Sequence, residues 1–455
     1  MPAFAGVTRE GLLLFLSLAL AFAAPAAAQE APPADDGPAL EVDIVGGISA
    51  PMPIAVPVMP TPAVVQVAEG LTTEAMGRQV AEIVASDLRN SGLFTPTGPS
   101  GLPGVTFPQV TAPNFGLWNN AQALVQGFVQ AGGDGKLTVG CYLYDVAARS
   151  ELTRQGFVVA ARDWRRAAHK CADAIYARLT GEGAYFDSRI VYVAESGPKG
   201  KRTKRIAVMD QDGANHRFLT NGQSTALTPR FSPDQKWLTY MSYDGQRPQV
   251  WLYDMAAGRQ RLLVSQPNMT FAPRFSPDSR SVVFSMAVNG NTDIYRVPVT
   301  GGTPQRLTNT PGIDTGGSYS PDGSRIVFES DRGGSQQLYV MRADGSDQRR
   351  ISFGGGQYGT PVWSPRGDLI AYTKIGGGFR IGVMNAGGGG ERVLTEAWQD
   401  EGPSWAPNGR VINFFRTAQG SGRTELWSVD LTGVNEKQIR TPLDGSDPSW
   451  SPLQN

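Results

Sequence analysis

Tyr319-Ser320-Pro321-Asp322-Gly323-Ser324-Arg325-Ile326-Val327-Phe328 is the stretch whose reading decides the fold. An aromatic residue, Ser, Pro, Asp and Gly lead into an apolar strand, and variants of the opening recur along the chain. The copies begin at Phe231, Phe275, Tyr319, Trp363, Trp405 and Trp450, in steps of 44, 44, 44, 42 and 45 residues. Pro sets φ for the first corner, Asp or Asn tolerates the second and Gly supplies the last, so each copy predicts a tight turn. A near-constant period of this length marks a repeat whose unit is one small sheet that cannot bury its faces alone. The expected order is motif turn, strand, loop, strand and a further turn. In the third repeat these are Arg325–Phe328, Gln337–Met341, the turn at Asp344-Gly345, and Arg350–Ser352. Four short strands per unit describe a propeller blade.

The ends of the array suggest closure. Ser188-Arg-Ile-Val-Tyr192 matches Ser324-Arg-Ile-Val-Phe328 but has no Ser-Pro motif before it, whereas Trp450-Ser-Pro has no strands after it. An open row would leave both as unpaired edges. Joining them gives a sixth blade, so residues 184–455 are expected to form a six-bladed β-propeller closed by the C-terminal strand.

Upstream, the chain begins with Arg9, an apolar run from Leu12 to Ala23, and Ala26-Ala27-Ala28 before Gln29. This reads as a secretory signal peptide over residues 1–28, and no other segment approaches a membrane span. Residues 29–39 are rich in Pro, Ala and Asp and are expected to be disordered. Residues 40–183 read as a small α/β domain. Leu40-Glu41-Val42-Asp43-Ile44-Val45 alternates as a strand would, and Pro53–Pro57 is a second apolar run. A helix follows from Thr72, with Met76, Val80, Val84 and Leu88 on one face, Glu74 in its first turn and Gly92 at its end. Residues 123–159 predict three strands, and a second helix, capped by Asp163, runs to about Leu179 before Gly181.

Composition narrows the function. Lys plus Arg and Asp plus Glu both number 41 in 455 residues, for a formal net charge of +0. A nucleic-acid binder would need a basic surplus to displace counterions. Cys141 and Cys171, the only cysteines, fall on the apolar faces of a strand and a helix; a disulfide or two buried thiols both fit. The 2 histidines, His169 and His216, have no Cys or His at metal spacing, so neither a metal nor a cofactor is expected. Asp210-Gln-Asp-Gly213 opens like a calcium loop, but Ala214 and Asn221 occupy liganding positions, leaving a hairpin turn. Gly222-Gln-Ser224-Thr-Ala226 lacks the last Gly of a hydrolase elbow, which excludes a peptidase. The basic run Lys199–Arg205 reads as a solvated hairpin loop, with contact to an anionic partner surface as the alternative.

The working surface is expected at a channel mouth. Pro229, Pro273, Gly317, Pro361, Pro403 and Pro448 stand two residues before each motif aromatic and are read as preceding the innermost strands. Their neighbours Thr228, Met269, Ala272, Asp314, Thr315, Thr360, Asp400 and Glu401 form the candidate partner-binding ring, because loops on a rigid scaffold commonly carry function. A propeller hydrolase or lactonase working at this mouth is the alternative. Its acids would be Asp314, Asp400 and Glu401, with no histidine beside them.

The signal, the helix Ile83-Val-Ala-Ser-Asp-Leu-Arg-Asn-Ser-Gly-Leu-Phe94, the junction Tyr176-Ala-Arg-Leu-Thr-Gly-Glu-Gly-Ala-Tyr-Phe186 and the Ser-Pro-Asp blades together resemble the TolB family, periplasmic components of the Tol–Pal system. The resemblance covers about residues 40 to 455. It implies a monomeric, non-enzymatic adaptor in the periplasm that supports outer-membrane integrity and its invagination during cell division. Its propeller mouth would bind Pal, a lipoprotein that grips peptidoglycan, with Met269, Ala272 and Thr315 on that face. Its N-terminal strand, Leu40–Val45, would bind TolA. Other Tol proteins, outer-membrane proteins and imported toxins are further candidate partners. The family often has His where this chain has Met269, and the TolA segment here follows an acidic, proline-rich extension.

Overall fold

The computed structural model describes residues 50–198, 200–243, 245 and 247–454. The expected signal peptide, the extension and the strand Leu40–Val45 lie outside the described residues. The N-terminal domain is a five-stranded sheet with two helices. Met52–Ala55 runs parallel to both Phe94–Thr97 and Ala123–Ala131, and Ala123–Ala131, Lys136–Asp145 and Ser150–Ala160 continue as antiparallel neighbours. Helix α1 (Thr73–Asn90) and helix α2 (Trp164–Thr180) pack on each other and on the sheet. Thr72 caps α1 by accepting from the Ala75 N–H at 3.2 Å, which satisfies one of the free amides at the helix start. Asp163 stands at the cap position of α2, but its carboxylate makes no capping bond; a short 3-10 turn, Ala161–Asp163, leads into the helix instead. Gly181 ends α2 with φ 69°, a left-handed conformation that glycine adopts without a Cβ clash. Cys141 on the sheet and Cys171 on α2 are joined as a disulfide, with Cα atoms 5.7 Å apart.

The propeller comprises six four-stranded sheets. In the closing blade the order is Arg217–Phe218, Thr203–Asp210, Arg189–Ser196 and Asp444–Trp450, so the C-terminal strand is the innermost one. It pairs antiparallel with Arg189–Ser196, from Asp444 opposite Glu195 to Trp450 opposite Ile190. The repeat order reads each motif as the turn that opens a blade. The motif does not open a blade; it joins the innermost strand to the second. Ala226–Phe231, Met269–Phe275, Asp314–Tyr319, Gln357–Trp363, Asp400–Trp405 and Asp444–Trp450 are the six innermost strands, and each ends on a motif aromatic. The prolines read as preceding these strands lie within them.

The motif closes its turn as its chemistry dictates. Ser320 Oγ donates to Asp322 at 2.5 Å, and the Arg325 N–H donates back to Ser320 Oγ at 3.0 Å. Ser232 and Asp234 repeat the first bond at 2.6 Å. The blades then bury one another: Val250 and Leu252 of one pack with Val282 and Phe284 of the next, and Val327 and Leu338 with Ile370 and Tyr372. Each face is covered by a neighbour, which is why a lone repeat would not hold.

The junction fastens the domains at the motif end of the propeller. Asp173 on α2 accepts from the backbone N–H groups of Tyr185, Phe186 and Asp187 at 2.7, 2.8 and 3.0 Å. Glu182 pairs with Arg366 and Arg410 beside two motif turns, at 2.8 and 3.4 Å. Trp450 Nε1 donates to Ser188 Oγ at 2.7 Å. Among the described residues, no helix is long and apolar enough to cross a membrane.

Candidate functional site

All six innermost strands run the same way, so their first residues gather at the mouth remote from the motif turns. Each strand carries a β-bulge. The pairing register shifts between Leu227 and Arg230, Phe271 and Arg274, Thr315 and Ser318, Gly359 and Val362, Glu401 and Ser404, and Ser446 and Ser449. At every bulge the residue three before the aromatic has positive φ: Thr228 49°, Ala272 49°, Gly316 71°, Thr360 47°, Gly402 67° and Asp447 49°. The four non-glycine residues hold a left-handed conformation that costs an L-residue roughly 1 kcal/mol, and five of the six stand directly before proline. A bulge leaves its extra residue outside the ladder. Several of the freed amides are taken by the preceding blade. Gly316 N–H donates to Ser285 Oγ (3.2 Å), Thr360 N–H to Glu329 Oε2 (2.8 Å), Gly402 N–H to Thr373 Oγ1 (3.3 Å) and Thr228 N–H to Asp447 Oδ2 (3.4 Å).

This ring brings together Thr228, Ala272, Thr315, Thr360 and Glu401 of the expected set. Thr315 Oγ1 donates to Glu329 Oε1 at 2.5 Å, and Glu401 accepts from Gln399 at 2.8 Å. Burial, with Asp447 adding a smaller push, raises the Glu401 carboxyl pKa despite Gln399. Met269 opens its strand at the rim, 45% exposed. Asp314 and Asp400 are placed differently from the expectation: both are fully buried rather than lining an open mouth. Asp314 is held by Arg332 at 2.7 Å, and Asp400 by a two-pronged contact with Arg416 at 2.6 and 2.9 Å. A strand-initial Asp needs a cation when its neighbours cover it, and these arginines supply one. That removes two of the three acids the hydrolase reading needed.

Two features were missed. Asp447 belongs to the bulge ring by the same offset from its aromatic as Thr228 and Thr360, so the repeat register alone could have found it. The rim also carries, beside the expected Met269, four exposed apolar side chains from successive blades: Tyr243, Ile313, Phe353 and Trp398. They sit in connections of unrelated sequence, and only the blade topology assigns them to one face. Of the basic run, Arg202 pairs with Asp444 at 2.8 Å and Lys204 with Glu195 at 2.9 Å; Lys199 lies outside the described residues.

A second cluster lies between the domains. His169 on α2, Asp210 and Asp212 on the propeller hairpin bring ligand-type atoms within 4.8 Å of one another, although sequence had kept them apart. His169 Nδ1 is 2.6 Å from Asp87 Oδ2 on α1, and Gln211 Nε2 donates to Asp87 Oδ1 at 2.8 Å. Arg165 bonds Asp212, and Asn215 donates to Asp210 at 2.6 Å. Burial pulls the His169 pKa down, but Asp87, followed by Asp212 and Asp210, outweighs it and raises the pKa to about 9. Arg165 engages both propeller acids, bonding Asp212 and lying 3.9 Å from Asp210. The cluster is an ionic latch between domains.

A small α/β domain joined to a closed six-bladed ring places the chain in the class of two-domain β-propeller proteins. The chain matches the TolB amino-terminal domain over residues 40–152 and the TolB beta propeller domain over residues 176–454. A Tol-Pal system protein TolB of Zymomonas mobilis is 72% identical over 445 residues, covering 97% of each chain. Another from Rhizorhabdus wittichii is 73% identical over 443 residues, covering 97% of this chain and 98% of that protein. The crystal structure of TolB from Acinetobacter baumannii superposes with a TM-score of 0.76 at 28% identity, covering 91% of this chain and all of that one. The chain belongs to the TolB family of Tol–Pal system proteins.

Proposed function

We propose that this chain is a non-enzymatic periplasmic adaptor, exported by its N-terminal signal, that docks Pal on the apolar-rimmed propeller mouth and TolA on residues 40–45. In that role it supports outer-membrane integrity and invagination during division. The carrying observation is the ring of exposed apolar side chains around a bulge-stiffened mouth, on the end opposite the domain junction. Exposed apolar side chains gathered at one end of a rigid scaffold favour a protein partner. The acids best placed for catalysis are spent on Arg332 and Arg416. Two partners on one molecule have reciprocally linked affinities if the N-terminal segment responds to the first.

The test is titration of purified Pal against the mature protein and its Met269→Asp and Phe353→Ser variants. Each is expected to weaken binding at least tenfold. Val434→Asp, at an exposed residue of the motif end, serves as the control and keeps full affinity. Equal loss in the control, or full affinity in both mouth variants, refutes the assignment. Deleting residues 29–49 is expected to abolish TolA binding; retained binding refutes that half.

A further inference from the structure

Between the ring of bulges and the motif turns lies one level of the channel. It is built by the residue before each motif aromatic: Arg230, Arg274, Ser318, Val362, Ser404 and Ser449. All six line a cavity of about 600 Å³. The repeat supplies its own control. The same backbone position takes Ser in three blades and Val in one, so blade geometry does not call for arginine.

The two arginines come from adjacent blades. Neither forms an ion pair with a carboxylate among the described residues, whereas Arg332 and Arg416 near the other mouth clasp Asp314 and Asp400. Arg230 Nη1 donates to the Pro229 carbonyl at 2.7 Å. Burial lowers the pKa of both guanidinium groups, and the charge on Arg230 lowers that of Arg274 further; Asp447 and Glu329 oppose this only through space. A guanidinium does not give up its proton in a protein, so two like charges remain side by side in a confined channel. Ser318 Oγ accepts from the Trp363 N–H at 3.3 Å and Ser404 Oγ from the Trp450 N–H at 3.0 Å, which leaves both hydroxyl hydrogens able to donate.

We propose that this level of the channel binds a small polyvalent oxyanion, a phosphate or a di- or tricarboxylate, between the guanidinium groups of Arg230 and Arg274 with the Ser318 and Ser404 hydroxyls as further donors. Guanidinium groups match oxyanions through paired N–H donors, and a dianion cancels both charges at once. The site lies at the motif end and does not depend on what docks at the far mouth.

The experiment is calorimetric titration of the full mature protein with inorganic phosphate and, separately, citrate, against chloride at equal ionic strength. Saturable binding of either oxyanion, weakened at least tenfold in Arg230→Gln and in Arg274→Gln, supports the site, and the responding probe names the anion class. No binding of either probe, an equal response to chloride, or unchanged affinity in both variants overturns it. Circular dichroism checks the folding of each variant. Independently of the variants, wild-type crystals soaked in selenate are expected to show an anomalous peak between the two guanidinium groups; its absence at saturating selenate overturns the proposal.

Discussion

His169→Gln tests whether the contact between the domains is held by charge. His169 is 1% exposed and faces Asp87 from α1, Asp210 and Asp212 from the propeller hairpin, and Arg165 from its own helix. Its pKa stands at about 9 against an ordinary 6.5, a rise worth roughly 3 kcal/mol at about 1.36 kcal/mol per unit. Because the folded value lies above the unfolded one, this stabilisation is complete below about pH 6.5 and disappears as pH climbs through about 9. The chain has 2 histidines, so the variant also assigns the proton NMR signals. His169 is expected to titrate near pH 9, while His216, lowered by burial and then by Arg205, titrates below its ordinary value. In denaturant unfolding, the wild type is expected to exceed His169→Gln by roughly 3 kcal/mol at pH 6.5, with the gap closing by pH 10. A constant gap across that range, or a His169 midpoint at or below 6.5, refutes the ionic latch.

Two other perturbations separate stability from binding. Replacing Cys141 and Cys171 with Ala opens a loop of sequence separation 30 and is expected to lower stability by roughly 3–4 kcal/mol on the chain-entropy account; unfolding curves that match the wild type would contradict it. Asp400→Ala takes the two-pronged contact from Arg416, leaves Glu436 at 2.8 Å as its remaining carboxylate and is expected to cost roughly 2–3 kcal/mol, whereas Glu401→Gln leaves thermal unfolding nearly unchanged; equal losses in the two would undo the distinction drawn between them.

The ring was legible because a 42–45-residue period and two unmatched half-repeats are properties of sequence order alone. The position of the innermost strand was not. Pro inside a strand argues against that strand unless a bulge frees the amide it lacks, and bulges leave no residue signature where Thr, Ala and Asp take positive φ. The burial of Asp314 and Asp400 was equally hidden. Their partners Arg332 and Arg416 lie 18 and 16 residues away, and only the second strand's return brings each arginine back over its acid. The latch shows the same limit at longer range: Asp87, His169 and Asp212 are separate elements of sequence until two domains close on them.

The wiring of the mouth gives the strain a reason. From blade to blade, Thr315 holds Glu329, Glu329 holds the Thr360 amide, Thr360 meets Thr373 at 2.7 Å, and Thr373 holds the Gly402 amide. Gly316, Thr360 and Gly402 are thus each fixed by a side chain from the blade before as well as by their own strands. Strained backbone persists only where the surroundings over-determine it, and here three consecutive blades share that task. A mouth built this way cannot adjust one residue without disturbing the next, so it presents apolar rim residues on a platform already in its final shape. Binding there loses less conformational entropy than binding on free loops, and that favours a modest apolar rim as a specific docking surface.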